Sequence, residues 1–185
     1  MDKTTIYDWS YLSLEDIKMV KSKVQKCLVS CGMLMLLATP VLAEEALTVN
    51  VARITMDVAN TIAVNTVKSC REQGIPISVT VVDRNGIIQA QLRDTTAPPV
   101  SLGISEKKAY TAAMFNAKGS QLAGRANSPL QTLGAGLAFM AGSTPIQAAG
   151  RMYGAVGVSG APDGKVDEGC AIAGVESVMD DLQMQ

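Results

Sequence analysis

The chain reads as an α+β protein, a mainly antiparallel sheet of five strands flanked by helices. Two observations carry this. The alternating runs Ile77, Val79, Val81 and Ile88, Ala90, Leu92 flank Asp83-Arg84-Asn85-Gly86, and Asn-Gly between alternating runs is the strongest short-range hairpin signal. The segments on either side of that hairpin instead repeat apolar residues at intervals of three and four, the period of a helix with one buried face. Strands joined by hairpins are antiparallel neighbours, and helices then cover the sheet.

Taken in order, residues 53–73 form a helix, with Ile54, Val58 and Ile62 on one row and Ala59, Ala63 and Val67 on the next. Gly74 stops it and Pro76 confirms the break. The hairpin follows, its first strand read as half-buried because Ser78 and Thr80 alternate with the apolar residues. Pro98-Pro99 closes that unit, and Ser101 is placed to cap a helix running to about Phe115. Residues 116–136 read as a short helical turn and a loop rich in Gly, Asn, Ser and Pro. Further strands are expected at Leu137–Ala141, Ile146–Ala148 and Met152–Ser159, with a turn at Gly142–Pro145. A last helix is expected over Asp167–Met179.

Residues 1–43 have the order of a secretory leader. Lys18, Lys21, Lys23 and Lys26 precede the apolar run Leu28–Leu37, and Val41-Leu42-Ala43 offers a cleavage position before Glu44-Glu45. The apolar run is shorter than the roughly 20 residues of a membrane span, so a transmembrane anchor is set aside. Translation from Met19 would give a conventional leader. The expected mature domain is 44–185, periplasmic or secreted, with Cys70 and Cys170 as its two cysteines. In an oxidising compartment they are available to pair.

Composition narrows the chemistry. The 185 residues contain no histidine, which removes Ser-His-Asp and Cys-His catalysis, HExxH zinc sites and the usual proximal haem ligand. A net charge of −1 and 4% aromatic residues argue against a nucleic-acid partner, which needs phosphate-neutralising cations or stacking platforms.

Four segments are candidates for a site. Around Glu106–Ala113, the residues Ile104, Lys108, Thr111 and Phe115 share a helical stripe, and a lysine and threonine flanked by apolar side chains can be directed into a pocket. The plainer reading is a lysine snorkelling from the edge of a packed helix. In Gly154–Gly160, Ala155, Gly157 and Ser159 share one strand face; the run lacks the GK[ST] and GxGxxG patterns of phosphate loops, and close helix packing explains the small residues. Asp163, Asp167 and Glu168 cluster before the last helix, where acids complement the helix dipole, and the stretch is short of oxygen ligands for a divalent metal. Arg93 beside Asp94 can meet a ligand carboxylate or its own neighbourhood. No residue is assigned a catalytic role.

Together Val82-Asp83-Arg84-Asn85-Gly86, Leu92-Arg93-Asp94, Lys107-Lys108-Ala109-Tyr110-Thr111-Ala112, Gly150–Gly160 and Asp167-Glu168-Gly169-Cys170-Ala171 resemble the GlcG/HbpS-like family, which includes the C-terminal domain of PduO. The resemblance spans roughly residues 50–182. It implies a profilin-like domain assembling into homo-oligomers, often octamers, that binds haem or a related tetrapyrrole. For some members it implies haem degradation or service beside a membrane sensor. Carried over, it makes Arg93, Lys108 and Thr111 lining residues of a ligand pocket, with Tyr110, Asp167, Glu168 and Cys170 on the same motifs. With no histidine, the iron ligands left are Tyr110, Tyr153, Cys70, Cys170 and the methionines, while Arg93 or Lys108 would meet the propionates. The resulting expectation is a secreted haem- or tetrapyrrole-binding protein, leaning away from catalysis. The alternatives are a haem-degrading enzyme and an accessory subunit that binds a partner protein through its helices.

Overall fold

The computed structural model describes residues 47–134 and 136–184, together with the helical positions Glu15, Lys18, Met19, Lys21 and Lys23. The expected leader and its cleavage position after Ala43 otherwise lie outside the described residues. The chain divides into residues 1–49 and 50–185, and the architecture that follows belongs to the second.

Helix α1, Met56–Glu72, buries Ala59, Ile62, Ala63, Thr66, Val67 and Cys70, the three-and-four spacing of a single apolar face. The Thr55 hydroxyl caps it by accepting the Val58 N–H. Gly74, at φ +73°, ends it, with the Ile75 N–H returning to the Cys70 carbonyl. Strands β1, Ser78–Asp83, and β2, Ile88–Arg93, form the expected hairpin. Its turn is organised by Asp83, whose Oδ1 accepts the N–H groups of Asn85 and Ile87 at 2.8 and 2.9 Å.

Helix α2, Val100–Phe115, crosses the sheet. Short helices α3, Gly119–Leu122, and α4, Leu130–Leu133, lead to strands β3, Ser143–Ala148, and β4, Arg151–Ser159. Ala149 and Gly150 join these two strands, both at positive φ, the type I′ combination that suits a two-residue hairpin. Helices α5, Gly164–Glu176, and α6, Met179–Gln183, close the chain. The sheet has the order β2-β1-β4-β3, every pairing antiparallel.

The α+β expectation therefore holds, with a correction: the described residues form a sheet of four strands, not five. The sequence predicts a strand over 137–141. Its backbone groups go elsewhere: the Ala138 N–H to the Thr111 hydroxyl, the Met140 N–H to the Ala138 carbonyl, and the Leu137 carbonyl to the Gln131 amide. Its apolar character serves a local contact, Phe139 packing edge-on against Phe115 at 5.2 Å.

A second correction concerns β1, which is buried along its whole length rather than half-buried. Val79 and Val81 face the core formed with α1 and α5, while Ser78, Thr80 and Val82 lie under α2. The hydroxyl pairs Ser78–Ser101 and Thr80–Ser105, at 2.7 and 2.8 Å, satisfy the polar groups that this sandwich buries. Ser101 is thus turned to the sheet, and the N-cap position of α2 is Pro99. The glycine-rich strand β4 is explained by packing: a Cβ on Gly157 would strike the Ser105 carbonyl and the Ala109 amide, so its absence sets how closely α2 lies on the sheet.

On the opposite face α1 and α5 lie side by side, joined by the Cys70–Cys170 disulfide with both cysteines fully buried. The helix expected over Asp167–Met179 is α5, which begins earlier because Asp163 caps it, accepting the Lys165 N–H at 2.9 Å, and ends at Glu176 before the separate α6.

Candidate functional site

The α2 residues divide between two sides. Lys108 and Thr111 point inward, where seven of this helix's sixteen residues are buried. Lys108 Nζ donates to the Val158 carbonyl at 2.9 Å and to Asp167 Oδ2 at 3.0 Å, in a pair whose side chains are 4% and 2% exposed. Asp167 Oδ1 accepts the Ala161 N–H, so both carboxylate oxygens are used. Next along α5, Glu168 accepts the backbone N–H and the hydroxyl of Ser120 and the Gly142 N–H. Thr111 donates to the Lys107 carbonyl and accepts the Ala138 N–H, each at 2.7 Å.

These residues form a buried polar network tying α2, α3, α5, the end of β4 and the loops at 138 and 142 into one frame. Neither sequence alternative for Lys108 describes this: it is neither snorkelling nor lining an open pocket. Asp167 and Glu168 likewise lie inside the helix and hold other elements, whereas Asp163 does the capping. Cys170 is taken up in the disulfide, with the Gln73 amide 3.5 Å from its sulfur. Among the described residues, no three His, Cys, Asp or Glu side chains are grouped to hold a metal ion.

The other side of α2 is open. A cavity of about 340 Å³ is lined by Gly86, Gly103, Glu106, Lys107, Tyr110 and Gly136. A second, of about 480 Å³, lies against Ile104, Lys107, Leu137, Phe139 and Met140, so Lys107 borders both. Tyr110 is the one residue of the sequence-derived set that lines this face. Its phenol has no hydrogen-bond partner among the described residues. Gly86 abuts its ring: a Cβ at 86 would fall 2.5 Å from Tyr110 Cδ2, and the backbone there is at φ +80°. Met114, one turn on, is 41% exposed. Sequence reasoning missed Lys107, Gly103 and Gly136 as neighbours of Tyr110. The spacing of Gly103, Lys107, Tyr110 and Met114 along one helical stripe was available as a signal.

Arg93 is exposed and lies elsewhere, at the end of β2. Its Nη1 donates to the carbonyls of Asp94, Thr95 and Ala97, the last at 2.6 Å, and so braces its own loop. It shares a cavity of about 240 Å³ with Lys68, Arg71 and Asp94. The Arg71 guanidinium grips both Asp94 oxygens, at 2.7 and 3.0 Å, and holds the Asp94 carboxyl below its ordinary value, with the Thr95 N–H adding to the effect. The same bonds raise the Arg71 pKa. A carboxyl depressed in the folded state contributes stability that is present above its unfolded pKa and lost as pH falls through the folded one. Asp94→Asn should therefore lower the urea midpoint at neutral pH, with the gap from wild type closing as pH drops below 3.8. A gap that persists unchanged in acid would contradict this assignment.

An antiparallel sheet sandwiched between α2 and the disulfide-linked pair α1 and α5, with cavities along the outer face of α2, defines an α+β domain. The chain belongs to the HbpS-like family: the family model described as haem-degrading protein HbpS-like matches residues 54–176. Among solved structures, a double mutant of HbpS from Streptomyces reticuli is 37% identical, with a TM-score of 0.68 over 76% of this chain and 97% of that one. The protein ORFY of Klebsiella pneumoniae shares the fold at 23% identity, with a TM-score of 0.67 over 72% of this chain and 96% of that one. So does PduOC in a complex with haem, at 19% identity and a TM-score of 0.63 over 68% of this chain and 95% of that one. No protein of curated function matches the chain.

Proposed function

We propose that this protein binds haem or a related tetrapyrrole on the open face of α2. The observation that carries the reading is the Tyr110 phenol, set between Gly86 and Gly136 in a cavity that Lys107 borders. The donor set fits the group. Tyrosine is an established axial ligand of haem iron where histidine is not used, and an exposed lysine suits a propionate. Gly103 leaves open space over the helix backbone for a flat ring, and Ile104, Leu137, Met114 and Met140 offer apolar contact. Bound haem would supply the redox and oxygen chemistry of its iron; the chain's own part is to hold and orient it. In this reading Lys108, Thr111, Asp167 and Glu168 are positioning residues that fix α2 and its loops. Arg93 and Cys170 act outside the binding face.

The family's description favours one further reading, haem degradation. Haemin titration of the purified chain should give a saturable Soret shift at micromolar concentration; no saturation would overturn the binding proposal. Adding a reductant in air then separates the two roles: a stable spectrum supports binding or storage, and progressive loss of the Soret band supports degradation.

We infer that the protein is exported. The basic, apolar and small-residue order of 18–43 supports this, as does the buried Cys70–Cys170 bond, since disulfides persist in oxidising compartments. Assembly into a homo-oligomer is proposed on the family resemblance, with gel filtration as its test. Among the described residues, no helix is long and apolar enough to cross a membrane.

A further inference from the structure

We propose a second ligand site, for a small oxyanion, at the end of the sheet where the two hairpins turn. Strands β1 and β4 pair with Asp83 opposite Gly154, so the turn after β1 and the start of β4 lie at the same end of the sheet. Arg84 comes from the first and Arg151 from the second. Both arginines line one cleft of about 620 Å³, with Asn50, Val51 and Met152 beside them.

The carboxylate at the start of the same turn, Asp83, is already engaged: its Oδ1 accepts the N–H groups of Asn85 and Ile87, and its Oδ2 lies 3.5 Å from Arg53. Among the described residues neither Arg84 nor Arg151 has an ion-pair or hydrogen-bond partner. Two arginines on the wall of one concave surface make it electropositive, and a cleft lined by one sign of charge concentrates anions. Guanidinium presents paired N–H donors whose geometry matches the two oxygens of a carboxylate or phosphate. Asn50 adds an amide, while Val51 and Met152 offer apolar contact to a short carbon body. The ligand class is thus a small dianion, either a phosphate or a dicarboxylate.

The site shares no lining residue with the Tyr110 face, so it stands or falls separately from haem binding. Its test is calorimetric titration of the full chain with inorganic phosphate and with succinate, in a buffer whose only other anion is chloride. Saturable binding of either is expected, with the preferred probe telling phosphate from dicarboxylate. Arg84→Gln and Arg151→Gln should each weaken binding about tenfold or more. The double variant should abolish it while circular dichroism and haemin titration stay unchanged, and Tyr110→Phe should leave anion binding untouched. The absence of saturable heat from both probes at millimolar concentration would overturn the proposal. Binding that survives the double variant would overturn it equally.

Discussion

Truncating Asp167 to alanine is expected to remove about 3–5 kcal/mol of folding stability, because it leaves the Lys108 ammonium buried without its counter-charge. In the wild type Lys108 Nζ has two partners, Asp167 and the Val158 carbonyl, and its side chain is 4% exposed. The variant keeps only the carbonyl and also orphans the Ala161 N–H. Domains of this size are stable by about 5–15 kcal/mol, so the loss is a large fraction of the total. Urea unfolding followed by circular dichroism reads it directly. Asp167→Asn, which keeps an acceptor oxygen while losing the charge, should fall between wild type and alanine and remains measurable if the alanine variant does not fold. Replacing both partners, Lys108→Met with Asp167→Leu, should recover most of the loss, since apolar substitutes remove both desolvation terms. A cost below about 1 kcal/mol for Asp167→Ala would mean that the pair is solvated and that the frame beneath α2 is not built as described.

The second large effect is expected at the disulfide. Cys70 and Cys170 are 100 residues apart, and closing a loop of that length restricts the unfolded chain by about 4–5 kcal/mol in the chain-entropy account. The Cys70→Ala, Cys170→Ala double variant should therefore melt lower, by on the order of 10 °C. Wild type treated with reductant under unfolding conditions should match it after refolding. Both sulfurs are in residues with no exposed surface, so reductant added to the folded protein should act only as fast as the protein opens. A double variant as stable as wild type would show that the packing of α1 on α5 suffices without the bond.

How far the sequence reveals this molecule depends on the range of each interaction. Helix α1 is legible because Ala59, Ile62, Ala63, Thr66, Val67 and Cys70 recur at helical spacing within one segment. The β1–β2 hairpin is legible because its turn chemistry is local, Asp83 and Gly86 doing the work within five residues. The burial of β1 is not, because the hydroxyls of Ser78 and Thr80 find partners on α2 that no periodicity predicts. The false strand at 137–141 fails for a related reason. A short apolar run without alternation fits several environments, and the Thr111 hydroxyl, 27 residues away, takes the Ala138 N–H.

The site divides in the same way. Lys108 and Thr111 do share a stripe, as the helical spacing requires, but the stripe faces inward and the lysine's partner lies 59 residues along the chain. Helix α2 carries small and apolar residues on both sides, so its sequence alone does not say which side meets the sheet. Only the family resemblance points to Tyr110. Its significance comes from Gly86 and Gly136, which two other segments bring beside it.

The central claim, that the open face of α2 holds a tetrapyrrole through Tyr110, is tested most directly by parallel haemin titrations of wild type and Tyr110→Phe in the Soret region. Phenylalanine keeps the ring against Gly86 and removes only the oxygen. Wild type should saturate with a band characteristic of phenolate-bound ferric iron, and the variant should lose that band and bind at least about tenfold more weakly. An unchanged spectrum and affinity in Tyr110→Phe would place the iron elsewhere and contradict the account.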